Sequence, residues 1–70
     1  MLSEIDLRDF ERLEPKPLFD IERNTYIESP VGLLLFDHID GMYSLSTDLK
    51  GNMVHLAAWT EVVPLKPRSK

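Results

Sequence analysis

Val31-Gly32-Leu33-Leu34-Leu35-Phe36-Asp37-His38-Ile39-Asp40-Gly41-Met42-Tyr43-Ser44-Leu45-Ser46-Thr47 holds the longest apolar run of the chain, then an Asp-Gly pair, then an alternating segment. Residues 31–39 read as a strand and residues 42–47 as its return. Asp40-Gly41 between them suits a tight type I′ hairpin, whose two central residues both need φ > 0. That turn sets Ile39 opposite Met42, His38 opposite Tyr43, Phe36 opposite Leu45 and Leu34 opposite Thr47. The side chains of Leu34, Phe36, His38, Tyr43, Leu45 and Thr47 then share one face. Leu33, Leu35, Asp37, Ser44 and Ser46 share the other. The first face is the expected core, because the two serines dilute the second.

Downstream, Asp48-Leu49-Lys50-Gly51 is a second turn with glycine at the position that wants a left-handed backbone. A four-residue loop would align Val54 and Leu56 with Leu45 and Tyr43. A three-residue loop with a bulge would bring Met53 and His55 there instead. The first is preferred because it keeps the core face apolar. Ala57-Ala58-Trp59 suits a single 3-10 turn, and residues 61–65 a final strand. Pro64 has no N–H to donate, so it belongs at a sheet edge or a strand end.

Upstream, Leu18-Phe19-Asp20-Ile21 and Thr25-Tyr26-Ile27 alternate at period two around a Glu22-Arg23-Asn24 turn, and Ser29-Pro30 breaks the chain again. Ser3 with Asp6 fits a capping box. Leu2, Ile5, Phe10 and Leu13 follow at helical spacing, so a short helix is expected over about residues 4–13, ended by Pro15 and Pro17.

The expectation is one mostly-β domain over residues 1–70, with a helical segment over 1–14, a barrel over 17–65 and a basic tail over 66–70. About five to six short antiparallel strands and a 3-10 turn before the last of them resemble a small, partly open SH3-like barrel. Residues 32–65, through Phe36-Asp37-His38-Ile39-Asp40-Gly41-Met42-Tyr43-Ser44 and Val54-His55-Leu56-Ala57-Ala58-Trp59-Thr60-Glu61-Val62, also resemble small accessory proteins of tailed bacteriophages. That resemblance implies a phage-encoded protein in a bacterial host cytoplasm and supplies no functional residues.

Composition bounds the function. The chain has 70 residues, 43% hydrophobic and 29% charged, and no cysteine. A reducing compartment is the default, and neither disulfides nor thiolate metal sites are available. No apolar run approaches the ~20 residues that cross a bilayer, and Met1-Leu2-Ser3-Glu4 has no basic signal-peptide start. The net charge is -4. Residues 1–14 hold Glu4, Asp6, Asp9, Glu11 and Glu14 against Arg8 and Arg12, whereas Lys66, Arg68 and Lys70 close the chain without an acid. An acidic body repels phosphate backbones, so nucleic-acid binding is not the first expectation. The basic tail reads as a frayed, solvated terminus.

Asp37, His38, Asp40 and His55 could form a metal site or a general base. Asp40, however, is what the turn demands, and Asp37 points away from His38 in a regular strand. Ser44 and Ser46 lack a nucleophile elbow. No phosphate loop, dinucleotide fingerprint or zinc-protease motif is present. The expectation is therefore a non-catalytic protein-binding module without cofactor, acting on a bacterial host protein. Trp59, Tyr26, Asp6, Asp9 and Glu11 are the candidate partner-binding residues. The alternatives are a self-assembling small β protein, as a homodimer for example, and a nucleic-acid-binding barrel.

Overall fold

The chain's β-rich pattern becomes seven strands in the computed structural model, which describes residues 7–68. They are β1 (Phe10–Arg12), β2 (Lys16–Pro17), β3 (Thr25–Ser29), β4 (Gly32–Asp40), β5 (Tyr43–Asp48), β6 (Met53–Val54) and β7 (Glu61–Pro67), with 3-10 turns at Leu7–Asp9 and Leu18–Asp20. The spatial order is β1-β7-β3-β4-β5-β6, and β2 also pairs with β7. Every pairing is antiparallel. Among the described residues β1 and β6 end the sheet without pairing to each other, so the sheet is open.

The helix expected over residues 4–13 does not form over its described part. A 3-10 turn at Leu7–Asp9 leads directly into β1, which lies along β7 with Phe10 opposite Pro67 and Arg12 opposite Leu65. An isolated helix of this length is marginal because nucleation is costly. Pairing with β7 satisfies the same backbone groups and sets Phe10 edge-on to Tyr26, with ring centroids 5.5 Å apart. The remainder of that expected helix, with Asp6, lies outside the described residues.

Leu18-Phe19-Asp20-Ile21 is likewise not a strand. Pro17 (φ -67°, ψ 152°) opens a 3-10 turn closed by the Ile21 amide donating to the Leu18 carbonyl at 3.0 Å. The turn drives Leu18 fully into the core.

The turn of the long hairpin is centred one residue later than expected. Asp40 pairs with Tyr43, so Gly41-Met42 and not Asp40-Gly41 is the two-residue loop. Gly41 has φ +64° and Met42 is not in the positive region, the pattern of a type II′ turn. Ile39 therefore faces Ser44, and His38 faces Leu45. A bulge at Asp37 then shifts the pairing, so that Phe36 faces Ser46. The bulge changes the phase of β4, which lets Leu34, Phe36 and Ile39 all turn toward the core. On β5 the inward residues are Ser44 and Ser46, both fully buried, while Tyr43 is exposed and Leu45 half-buried. The expected core face of β5 is thus reversed.

The second hairpin uses the three-residue loop that was not preferred. Thr47 pairs with Met53 and Ser46 with Val54, and the Asp48 amide bonds the Asn52 carbonyl at 2.9 Å. Two shifts compensate: Val54 and Leu56 still pack against the core.

The core is Leu18, Ile27, Leu34, Phe36 and Val62. Pro64 is buried in the middle of β7, opposite Ile27, contrary to its expected edge position. Its carbonyl accepts from the Leu13 amide at 2.9 Å, on the side where β1 and β2 are interrupted. A residue's N and C=O point the same way in a strand. The missing donor therefore falls at that interruption and not against β3.

Candidate functional site

The turn at residues 57–60 follows β6 and gathers two other segments, residues 18–19 and 42–43. The Ala58 amide donates to the Met42 carbonyl at the hairpin tip (2.8 Å), and the Ala58 carbonyl accepts from the Phe19 amide (3.0 Å). The Leu18 amide reaches the Thr60 carbonyl (2.9 Å), and Tyr43 bridges to Ala57. Buried Ala58 is thus the hub of one end of the molecule. Around it stand Phe19 (58% exposed), Met42 (66%), Tyr43 (58%) and Trp59 (61%). Small side chains at residues 57 and 58 allow this close backbone approach, while each large neighbour is turned to solvent.

Trp59 was the sequence-level anchor, and it occupies this end. Tyr26 does not share it. Tyr26 lines a groove of about 570 Å³ with Phe10, Ile21, Lys16, Pro64 and Lys66. Trp59 is not part of that lining. The expected elements do not single out Phe19 or Met42, since the one stands in an expected strand and the other in the return of the hairpin. A large apolar residue immediately after a turn glycine was the available signal for Met42.

Asp9 and Glu11 belong to neither surface. Glu11 stands opposite Lys66 on β7. The Asp9 carbonyl accepts from the Arg68 amide at 2.9 Å, and Arg68 Nε reaches the Phe10 carbonyl at 3.2 Å. Residues 9–12 and 65–68 therefore lie side by side, and residues 66–68 are not a frayed tail. Arg12 forms a two-point pair with Glu28 across β7, its Nε bonding Oε1 and its Nη2 lying 3.0 Å from Oε2. That hydrogen bond, ahead of any other cause, holds the Glu28 carboxyl below its ordinary range. Asp48 is held low by the Asn52 amide first and then by the Lys50 amide, which its carboxylate accepts at 2.9 Å each.

The bulge brings Asp37 and His38 together after all, with Oδ1 and Nδ1 3.5 Å apart. His55 is used differently: its Nδ1 lies 3.2 Å from the Ser44 carbonyl, so the ring donates from that nitrogen. Among the described residues no three His, Asp or Glu side chains gather as metal ligands would. Ser44 and Ser46, weighed as nucleophiles, are fully enclosed, which leaves no approach for a substrate. No helix among the described residues is long and apolar enough to cross a membrane.

Fold and surface together define a small open antiparallel β domain with an exposed aromatic end. No family model, curated protein or solved structure matches the chain.

Proposed function

We propose that this chain is a non-catalytic protein-binding module that docks its partner at the Phe19, Met42, Tyr43 and Trp59 end. The observation that carries the reading is four residues with large side chains, each more than half exposed, whose backbones are drawn together at residues 57–60. Trp, Tyr, Phe and Met are the types enriched where protein interfaces are anchored. Contiguous apolar exposure on a small domain marks an interaction site more often than an idle surface. The open antiparallel sheet supplies the frame, and three backbone hydrogen bonds at residues 58 and 60 hold the docking segments in place.

The resemblance of residues 32–65 to phage accessory proteins directs the search to bacterial host proteins. Immobilised parent chain and its W59A and M42A variants would be offered the same bacterial lysate. The expected result is a set of proteins retained by the parent and depleted on both variants. Equal retention by all three would overturn the reading.

A second reading, self-assembly, is favoured by β6. That strand ends the sheet, Met53 on it is 72% exposed, and residues 52–60 hold no Asp, Glu, Lys or Arg. Edges are ordinarily guarded by such charges against strand addition. Light scattering would find a dimer at micromolar concentration that M53K returns to monomer; a monomeric parent would eliminate this reading.

A further inference from the structure

The chemistry of the docking end points to its occupant. Asp20, which also lines the groove of Tyr26, follows Phe19; Asp40 precedes the Gly41-Met42 loop, and Glu61 lies two residues beyond Trp59; all three are exposed. The segments that build the end, residues 18–22, 39–44 and 56–61, contain no lysine or arginine. Among the described residues none of these three carboxylates takes part in an ion pair, whereas Glu28 is held by Arg12 and Asp37 lies against His38. Exposed carboxylates therefore flank the aromatic residues along the chain, in segments that hold no lysine or arginine.

Resting on the reading above, we infer that the partner presents a cationic apolar segment to this end, with arginines or lysines interleaved with aliphatic side chains. Guanidinium groups stack on indole and phenol faces and pair with carboxylates in the same approach. Carboxylates within a Debye length, about 8 Å at physiological salt, steer such a segment toward the patch. A second copy of the chain fits this end poorly, since a two-fold contact would set Asp20, Asp40 and Glu61 against their own copies.

The probe is a fluorescein-labelled peptide of leucines and arginines, compared with a counterpart carrying glutamate in place of each arginine. Fluorescence anisotropy follows binding to the full chain. The arginine peptide binds and the glutamate peptide does not. W59A weakens binding about tenfold or more, as loss of a central aromatic anchor does. The D20N/D40N/E61Q triple variant weakens it as well, and removes most of its salt dependence. These side chains are exposed, so the variants melt with the parent; if W59A did not, F19A and M42A would interrogate the same end.

Binding of both peptides with equal affinity, still lost in W59A, would overturn the cationic partner and leave the docking end standing. Binding of the arginine peptide that is indifferent to W59A, F19A and M42A would overturn the cationic partner at this end and remove it as a docking surface. Absence of any Trp59-dependent binding to either peptide would do the same.

Discussion

Ser44 and Ser46 are equally buried on β5, yet their hydroxyls fare differently. Ser44 Oγ donates to the Leu56 carbonyl at 3.0 Å and accepts from the Leu56 amide at 3.4 Å. Ser46 Oγ meets no hydrogen-bond partner. What Ser46 supplies is its small size, for it stands across from Phe36, the largest of the fully buried side chains. A buried hydroxyl left unpaired costs about 1–3 kcal/mol, and a satisfied one contributes about 1 kcal/mol. Ser46→Ala is therefore expected to stabilise the fold by about 1 kcal/mol and Ser44→Ala to destabilise it by a similar amount. Urea denaturation midpoints of the two variants should move in opposite directions; a shift in the same direction would contradict the assignment. Neither serine's burial was legible in the sequence, where both read as the polar side of a strand. Partner size, not polarity, decides which residue fits opposite a phenylalanine.

The hairpins carry the difference between a plausible pattern and the actual register. Asp40-Gly41 announces a turn, and the turn is there. Moving its centre by one residue gives every residue of β4 a partner two positions further along β5 and leaves the pairing of faces unchanged. The bulge at Asp37 then changes the phase of β4 and sets Leu34 and Phe36 on the side of Ser44 and Ser46, a reversal of the inner face of β5 that no local propensity encodes. Gly41 is the element's weak point. Its φ of +64° is costly for any side chain, although a Cβ there would have nothing within 4 Å. Gly41→Ala should thus cost about 1–2 kcal/mol from backbone strain alone. Thermal or urea melting measures this directly, and a negligible loss would mean that the loop does not hold glycine in the left-handed region. The same logic explains β1. A capping box and an apolar stripe favour a helix locally, but a strand there gains a whole partner in β7.

Across the whole molecule, the sheet is tied together by charges that lie far apart in the chain. The Arg12–Glu28 pair spans β7 to join β1 with β3. The Arg12 hydrogen bond is the largest cause of the lowered Glu28 carboxyl; partial burial opposes it, and the Arg12 charge adds to it. A folded-state value below the ordinary 4.5 means that the unfolded chain takes up the proton first as pH falls. The stabilisation is complete above the unfolded value and is lost as pH drops through the folded one. Urea titrations at neutral pH and near pH 3 test this. Arg12→Gln should change little at neutral pH, as an exposed pair contributes modestly, and should lose less stability on acidification than the parent does. Asp48, also held low, titrates in both proteins, so their difference isolates Glu28. An identical acid response would show that the pair is not held in solution.

Alternation, turn residues and composition by themselves determined a small mostly-β domain with its central hairpin over about residues 31–47, and a turn at Trp59 before the last strand. Those features are local: they depend on side-chain period and on which residues tolerate a turn. Only the tertiary structure decided the register, the serine-lined inner side of β5, the strand at Phe10–Arg12 and the central place of Pro64. It alone set residues 65–68 against residues 9–12, and gathered the backbones at Phe19 and Met42 to the turn that holds Trp59. Each of these depends on which strand lies beside which, and that is set by the packing of Leu18, Ile27, Leu34, Phe36 and Val62 together, residues 44 positions apart at their extremes.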